Sequence, residues 1–457
     1  MNKRLSRRAV LQGLCAAPFG ARLARAQTPA ELKVASRIIE VNGRAAKVFG
    51  IVNGRGGNGL SLMLGSRFQA RVKNDLDVET LLHWHGLNPP SAQDGVPMLS
   101  QAPLKPGQSF DYDFVNTRSG THWMHSHFGL QEQQLLAAPL IVRETAEPLF
   151  DEQEHVVLLH DFTFRDPSEI MASLKGGGGG HGSHNLVGKL NDIKFDAYLA
   201  NDRTLADPEV VRVGKATQIR LRIINGSAAS NMWIDLGALQ GELIAVDGNA
   251  VFPLKGSLFP LAIAQRADVR LKLPEGNGAW PILFRPEGLG ARAAIYLATQ
   301  GAEIARLSSD GAVAPEVDLT QEMKLRSVAV LPSEPVTRTE ILTLTGGGSD
   351  YLWGINGKSS MHDTIFTVRE NERIEVIMQN QTGMAHPMHL HGHYFKVVAI
   401  NNIPIEGALR DTVLVPPSNS VTIRFSADNP GNWAFHCHHL YHMNAGMMGA
   451  IRYSNAA

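Results

Sequence analysis

The sequence predicts an all-β protein made of several antiparallel sandwich domains, and three observations favour that fold class. Glycine and proline are frequent, with 44 and 24 residues, so turn-forming positions recur along the whole chain. Between the turns lie segments of roughly five to eight residues in which polar and apolar side chains alternate, as in Phe68 to Asn74. The length of 457 residues exceeds one typical domain, so we expect two or three.

The amino-terminal segment has the pattern of an export signal. Ser6-Arg7-Arg8 precedes an apolar run from Ala9 to Phe19, and Ala24-Arg25-Ala26 offers a small-residue cleavage site. Paired arginines before a modest apolar run are typical of a twin-arginine signal, whereas the alternative is a disordered basic tail. We predict a signal peptide over residues 1–26, recognition by the twin-arginine export machinery, cleavage near Ala26 and a periplasmic mature protein.

Charge, hydrophobicity and cysteine content indicate which classes of partner this chain can bind. Basic and acidic residues number 43 each, and no basic stripe predicts a nucleic-acid partner. No segment after the amino terminus predicts a membrane span, which takes about 20 apolar residues. Removal of the signal would remove Cys15 and leave Cys437 as the one thiol. A lone cysteine among histidines in an exported protein indicates a metal ligand.

Two segments share an order of features, which indicates an internal repeat. In each, a strand ending at Asn74 or Asn380 precedes a His-x-His pair, a turn, a second strand and another such pair. A middle segment has the equivalent strand ending at Asn225 but no histidine pairs, so it predicts a spacer without metal. The predicted domains are residues 30–147, 150–302 and 323–455.

Two stretches of the chain predict connections. Met171 to His184 contains five consecutive glycines and predicts a flexible loop. Its histidines, His181 and His184, could capture a metal ion, although solvated loop residues are the simpler interpretation. A second linker is expected from Arg306 to Glu322.

Four His-x-His pairs predict a metal site. Because alternate residues of a strand point to the same side, each pair offers two ring nitrogens in one direction. Copper, zinc, iron and nickel accept neutral imidazole, and a thiolate narrows that choice. Eight imidazoles are too many for one metal, and they can converge only where the outer domains touch. The pairs are His83/His85, His125/His127, His389/His391 and His436/His438.

The carboxy-terminal motif predicts a second, different site. Cys437, His442 and Met447 are spaced by five and five residues, and His386 lies upstream. Two imidazoles, one thiolate and one thioether form the ligand set of a blue-copper electron-transfer site, with methionine as the weak axial ligand.

Together these motifs resemble those of the three-domain multicopper oxidases, which include laccases, bacterial cuprous oxidases and copper-resistance oxidases. The resemblance covers nearly all of the mature chain. It implies three consecutive cupredoxin-like Greek-key β-sandwich domains and about four copper ions of types 1, 2 and 3. It further implies one-electron oxidation of phenols, aromatic amines or Cu(I), coupled to reduction of dioxygen to water.

The resemblance also implies a role for each ligand, with Cys437 as the point of electron entry. The type 1 ligands would be His386, Cys437, His442 and Met447, and the type 2 ligands His83 and His389. One type 3 copper would be held by His85, His125 and His438, and the other by His127, His391 and His436.

Asp94 matches an acidic residue that this family places near the copper cluster and uses to deliver protons. The alternative is a solvated turn aspartate before Gly95. Two positions depart from the cuprous oxidases, which often carry acidic residues there: Met443 follows a type 1 histidine, and Thr382 lies four residues before another. Both departures weaken a direct transfer of the cuprous-oxidase substrate site.

Other functional classes fit the motifs less well. A dedicated periplasmic cuprous oxidase for copper tolerance stays open as a variant of the main hypothesis. A copper store or a non-catalytic envelope scaffold would consume no oxygen, and the complete ligand set argues against lost activity. A copper nitrite reductase needs only two copper sites and would not use four histidine pairs.

Overall fold

Strands dominate the computed structural model, which describes residues 29–144, 152–178, 190–329 and 335–454. Six sheets follow one another in three pairs along the chain, and this arrangement confirms the all-β fold class. The signal peptide predicted over residues 1–26 and the loop histidines His181 and His184 lie outside these ranges. Within the described ranges, no helix combines the length and apolar composition needed to cross a bilayer.

The first pair of sheets forms a sandwich around Trp84. Strand order is β2-β1-β4-β6 in one sheet and β3-β8-β7-β5 in the other. Side chains alternate between buried and exposed along β4, so Phe68 packs inward with Trp84, Tyr112 and Met124. The strands are β1 (Ala30–Val41), β2 (Arg44–Asn53), β3 (Leu60–Met63), β4 (Arg67–Asn74), β5 (Leu82–His85), β6 (Ser109–Val115), β7 (Gly120–Ser126) and β8 (Ala137–Arg143).

The middle pair of sheets has the orders β10-β9-β12-β17-β14-β15 and β11-β19-β18-β13-β16. Its apolar core is continuous with that of the last unit. The strands are β9 (Glu152–Phe162), β10 (Ala197–Ala200), β11 (Glu209–Arg212), β12 (Gln218–Asn225), β13 (Met232–Asp235), β14 (Gly241–Val246), β15 (Asn249–Gly256), β16 (Leu258–Leu261), β17 (Arg266–Lys272), β18 (Ala279–Pro286) and β19 (Ala293–Ala298).

The last pair has the orders β21-β20-β23-β29-β25-β26, with β27 also on β25, and β22-β31-β30-β24-β28. The short helix α2 (Leu440–Asn444) follows β30. The strands are β20 (Arg338–Gly347), β21 (Leu352–Ile355), β22 (Thr364–Val368), β23 (Arg373–Asn380), β24 (His386–Leu390), β25 (Phe395–Ile400), β26 (Ile403–Pro404), β27 (Leu409–Arg410), β28 (Thr412–Val415), β29 (Ser420–Ser426), β30 (Asn432–Cys437) and β31 (Met448–Tyr453).

The asparagines that mark the repeat end strands β4, β12 and β23, and they have a shared structural role. The side-chain amide of Asn74 donates to the carbonyls of Val78 and Leu104, both at 2.8 Å. Asn225 and Asn380 each donate an equivalent pair of hydrogen bonds, one to a loop carbonyl and one to the carbonyl of the last residue of a strand. Buried loop carbonyls need such donors. In the outer units this contact fixes the loop that leads into the first histidine pair.

The chain is helical over part of the stretch in which the sequence analysis expected a loop. Residues from Met171 onward belong at first to helix α1 (Pro167–Ser173), which continues into a π-helical turn over Leu174–Gly178. Asp166 caps α1, because its carboxylate accepts a hydrogen bond from the Ser168 backbone N–H at 2.8 Å. The prediction of a loop from Met171 was therefore wrong, and the cap with proline at the first helical position was the overlooked signal.

Candidate metal centre

The buried thiol of Cys437 lies against two imidazoles of the last unit. Its sulfur is 3.5 Å from Nδ1 of His386 and 3.9 Å from Nδ1 of His442, and these two nitrogens are 3.2 Å apart. Strands β30 and β24 and helix α2 supply the three side chains, all fully buried. The backbone carbonyl of the buried Met447 accepts a hydrogen bond from the Cys437 N–H at 3.0 Å. We call His386, Cys437, His442 and Met447 the thiol site.

Neighbouring side chains fix both imidazoles of the thiol site. Nε2 of His386 is 2.7 Å from the hydroxyl of Thr382. His442 lies between two rings: Trp353 stacks on it with centroids 4.1 Å apart, and His439 stacks at 3.7 Å. These contacts hold the Nδ1 atoms toward the sulfur. Thr382 therefore helps to orient the His386 ring.

Asp192, from the middle unit, faces the outer side of His442. Its carboxylate lies 3.7 Å from Nε2 of His442 and 3.5 Å from Nε2 of His439, and it accepts a hydrogen bond from the Tyr351 hydroxyl. Burial alone would raise the pKa of Asp192, but the two histidines outweigh it and hold that pKa well below its usual range. A buried carboxylate of the middle unit thus lies behind His442, on the side away from the sulfur.

Burial determines which side chains of the thiol site carry a proton in the metal-free protein. It lowers the pKa of His442 to about 3, so this imidazole is neutral and carries a lone pair. It raises the pKa of the Cys437 thiol well above its usual range, so the metal-free thiol keeps its proton. A metal that binds here must displace that proton.

The eight paired histidines converge between the first and last units, and we call them the histidine cluster. Their ligand atoms form three sets, each with all atoms within 4.8 Å of one another. Every set combines histidines of both outer units, so the cluster exists only at their shared boundary. The sets are His83, His85 and His389; His85, His125 and His438; and His127, His391 and His436.

Five ring nitrogens of the cluster are buried without any hydrogen-bond partner among the described residues. Buried atoms without a partner are Nε2 of His83, His125, His389 and His438 and Nδ1 of His85. Nε2 of His436 instead faces Nε2 of His391 at 2.9 Å and of His127 at 3.3 Å. Unpaired lone pairs are costly in a buried site. Cations among them would satisfy all of these atoms, so the donors fit several metal ions.

Two acidic residues hold the outer nitrogens of cluster histidines. Asp94 accepts from Nδ1 of His391 at its carboxylate and from Nδ1 of His83 at its carbonyl, both at 2.8 Å. Asp411 accepts from Nε2 of His85 at 3.1 Å and, at its carbonyl, from Nδ1 of His389 at 2.8 Å. Such partners fix the tautomer and direct the opposite nitrogen toward a metal.

The position of Asp94 excludes one interpretation of the Asp94-Gly95 turn. Asp94 is only 1% exposed, so it is not a solvated turn residue. Gly95 has φ of +82°, and a Cβ atom there would lie 1.8 Å from the carbonyl oxygen of Leu82. Glycine is therefore required for the backbone to approach β5 closely and bring Asp94 beside the cluster.

A buried network of charges joins the middle unit to the cluster. Arg266 binds Asp411 with both guanidinium nitrogens, one at 2.7 Å, and donates to the Thr121 carbonyl of the first unit at 3.1 Å. Next to it, Arg410 bonds Glu322 at 2.8 Å and Asp247 at 3.1 Å. Since Asp411 also contacts His85, the middle unit reaches the cluster through one intermediate residue.

The buried imidazoles predict that the metal-free protein loses stability on acidification. Burial lowers the pKa of His160 and His436 to about 4, from 6.5 for a free side chain. The unfolded chain therefore takes up protons below about pH 6.5 that the folded chain refuses until about pH 4, so stability falls as pH falls through that window. Glu287 acts oppositely, because burial raises its pKa to about 7, and burial also raises the pKa of Glu132, Asp161 and Asp247. The buried histidines with a lowered pKa outnumber these four carboxyls.

We expect the thermal unfolding midpoint of metal-free protein to decrease steadily from about pH 7 to about pH 4. Differential scanning calorimetry after exhaustive chelation measures it. A midpoint that stays constant or rises over this range would contradict the expectation.

The sequence analysis missed four residues that contact predicted ligands or their partners: Glu132, Asp192, Arg266 and Asp411. Arg410-Asp411 carried a usable signal, because two charged residues interrupt an otherwise apolar run from Ala408 to Val415. Asp192 and Arg266 offered none, since their partners lie far away in sequence. Glu132 lies only seven residues after His125, but no pattern in that turn indicated that its carboxylate is buried.

The sequences of known proteins independently support the resemblance to the multicopper oxidases. Profiles of the multicopper oxidase family match residues 33–147, 153–312 and 333–457. "Multicopper oxidase MmcO" of Mycobacterium tuberculosis is 30% identical over 411 residues, which cover 85% of this chain and 80% of that protein. "Copper resistance protein A homolog" of Pseudomonas syringae pv. tomato is 25% identical and covers 99% of this chain and 100% of its own.

Solved structures are similar in fold. The multicopper oxidase Fet3p, which functions in iron import, superposes with a TM-score of 0.80 at 19% identity, covering 93% of this chain and 90% of that one. The laccase of Botrytis aclada gives a TM-score of 0.78 at 23% identity, with coverages of 93% and 88%. At these identities the likeness concerns the fold alone.

Proposed function

The chain belongs to the multicopper oxidase family, and from that premise we propose which of its residues hold copper and what supplies the electrons. The protein is a copper-dependent oxidoreductase with dioxygen as acceptor. When bound, its copper ions oxidise a reducing substrate by single electrons at one site and reduce dioxygen to water at another. The convergence of the eight paired histidines at one boundary is the observation that carries this function.

The thiol site is the proposed type 1 site, with His386, Cys437, His442 and Met447 as ligands. Cys437 lies between His436 and His438 in the chain, and these two histidines belong to different sets of the cluster. Covalent bonds therefore connect the sulfur to both sets. Nδ1 of His436 also donates to the Cys437 carbonyl at 2.9 Å, which shortens the connection. Electrons are proposed to enter at Cys437 for this reason.

The histidine cluster is the proposed trinuclear site. His83 and His389 are assigned to type 2 copper. One type 3 copper is assigned to His85, His125 and His438 and the other to His127, His391 and His436. The last two sets coincide with groups whose ligand atoms lie within 4.8 Å of one another. Asp94 is the proposed proton relay, because its buried carboxylate contacts a cluster histidine at 2.8 Å.

Asp94→Asn should slow oxygen reduction by about 10²-fold, the lower end of the usual effect of losing a proton-transferring group. Asparagine keeps an acceptor for Nδ1 of His391 but cannot hold or release a proton. The blue colour should still form and should still bleach at the wild-type rate under anaerobic reductant. Stopped-flow reoxidation by dioxygen measures the defect. Wild-type turnover in this variant would remove Asp94 from the mechanism.

A methionine-lined cavity favours Cu(I) as a second candidate reductant beside phenols and aromatic amines. The cavity has a volume of about 270 Å³ and opens between the first and last units. Met361, Met443 and Met448 line it together with His127. Thioethers are soft donors that bind Cu(I) well, although methionine also fills ordinary cores. Met443 and Met448 adjoin the type 1 ligands His442 and Met447 in the chain.

Oxygen uptake tests both parts of the proposal. Copper-loaded protein is supplied with Cu(I) or with a phenolic dye, and the dye is assayed with and without added Cu(II). No uptake with either reductant would overturn the oxidase assignment. A strong Cu(II) requirement for dye turnover would favour the cuprous oxidase, and Met361→Leu should then slow Cu(I) oxidation more than dye oxidation. Equal effects on both would exclude the cavity as a Cu(I) site.

Export to the periplasm by the twin-arginine route is proposed from the pattern at Arg7, Arg8 and Ala26. Cell fractionation and amino-terminal sequencing test it: the mature chain should begin at Gln27, and replacing both arginines by lysine should leave it in the cytoplasm. Export that survives this replacement would exclude the twin-arginine route.

A further inference from the structure

A second buried acidic residue of the first unit faces the histidine cluster. Glu132 is 2% exposed and lies in a 3₁₀ turn over Gln131–Gln134, directly after the His125/His127 pair. Its Oε2 atom is 3.0 Å from Nδ1 of His125, and its Oε1 atom is 3.7 Å from Nδ1 of His438. One carboxylate thus spans histidines of the first and last units.

The neighbours of Glu132 hold the turn in place. The Gln131 side chain accepts hydrogen bonds from Thr80 and Ser126, both at 2.8 Å, and donates to the Glu79 carbonyl at 2.7 Å. The Gln133 side chain donates to the Asp161 carbonyl of the middle unit at 3.2 Å. Both flanking residues are therefore anchored, and the carboxylate between them has a fixed direction.

The charge environment of Glu132 differs from that of the buried carboxylates that pair with arginine. Asp411 and Glu322 pair with arginine side chains. Glu132 instead faces two imidazoles, and its Oε1 atom has no hydrogen-bond partner. Nδ1 of His125 also lies 3.1 Å from the Ser126 carbonyl, to which it can donate a hydrogen bond. An uncompensated buried carboxylate is costly, so a cation on the far side of those imidazoles would stabilise it.

The outer nitrogens of one histidine set all face carboxylates. The carboxylate of Asp411 contacts His85, and the carboxylate of Glu132 faces the other two members, His125 and His438. In the set of His127, His391 and His436, the carboxylate of Asp94 contacts His391, whereas His436 donates to a backbone carbonyl. A carboxylate behind an imidazole fixes its tautomer and strengthens it as a donor.

We propose that Glu132 is a positioning residue for the type 3 copper of His85, His125 and His438, and that it locks the imidazoles of two units in the orientation that binds this ion. The inference rests on the ligand sets proposed above. It adds a contribution that the resemblance did not assign.

Two substitutions of Glu132 test the proposal, with copper binding as the readout. Glu132→Leu removes both acceptors and should weaken binding of one type 3 copper by about 10². Glu132→Gln keeps one acceptor but turns a donor toward the other imidazole, so about tenfold weakening is expected. Titration against a copper chelator, with the near-ultraviolet absorption of the coupled copper pair, measures the affinity. The blue absorption of the thiol site reports that the last unit is folded.

Glu287→Gln is the matched control, because Glu287 is a buried carboxylate that bonds Asn231 and the Val317 N–H. It should leave the affinity unchanged. Wild-type affinity in Glu132→Gln would overturn the proposal, and this variant decides the outcome if Glu132→Leu fails to fold. Wild-type protein that binds copper without a coupled pair would instead overturn the proposed ligand sets, so the two failures are distinguishable.

Discussion

Cys437→Ser is expected to abolish the blue colour and to reduce turnover to the rate of free copper in buffer. Serine offers no soft thiolate, so the ligand set of a blue-copper site is lost. The histidine cluster uses none of the Cys437 side-chain atoms and should still bind copper. Visible absorption, copper content and oxygen uptake of the variant, each compared with wild type, measure these outcomes.

A matched control for Cys437→Ser lies nearby. Met448→Leu changes a buried sulfur side chain that follows the proposed axial ligand, and it should keep the blue colour and the oxidation of a phenolic dye. The assignment of Cys437 would be wrong if the serine variant stayed blue or oxidised the dye at the wild-type rate.

Arg266→Leu should destabilise the metal-free protein by roughly 3–5 kcal/mol, the usual cost of leaving one member of a buried ion pair unpaired. The substitution removes the two guanidinium nitrogens that bind the Asp411 carboxylate and leaves that buried charge unpaired. Because Asp411 also orients His85, the variant should bind copper at the histidine cluster more weakly as well. Chemical unfolding of chelated protein and copper titration measure the two effects.

Arg71→Leu provides the comparison. Arg71 pairs with Asp111 by two hydrogen bonds of 2.7 Å, but both side chains are more than half exposed. Exposed ion pairs contribute little to stability, so this variant should unfold almost as wild type does. If both arginine variants unfolded at the same denaturant concentration, the buried network would not have the role described here.

Local sequence patterns were sufficient to predict the fold class and the groups that come together. The period of two residues in strands predicted that both histidines of a pair point to one side, and β5 contains the whole pair His83/His85. In the other three pairs the second histidine lies just beyond the end of a strand. The repeated asparagine then predicted which strand precedes each pair, and β4 and β23 end at Asn74 and Asn380 as expected. These signals act over a few residues, and pattern analysis detects interactions at that range. The assignment of individual ligands to copper ions stays a prediction.

Contacts between units could not be predicted from such local sequence patterns. Arg266 and Asp411 are separated by 145 residues, and Tyr351 and Asp192 by 159. No period or short motif marks such partners, because their proximity depends on how whole sandwiches pack. Glu132 looked like an ordinary polar residue in a glutamine-rich turn. Its burial depends on strands of the first and middle units that pack around the turn.

The contribution of the middle unit has a consequence for attempts to shorten this protein. Asp192 and Arg266 extend from that unit to the surroundings of both proposed metal sites. A minimal version that fused the outer sandwiches directly would retain every proposed ligand and still lack the groups that balance and orient them. Miniaturisation by excision should therefore fail, whereas trimming confined to the exposed turns should be tolerated.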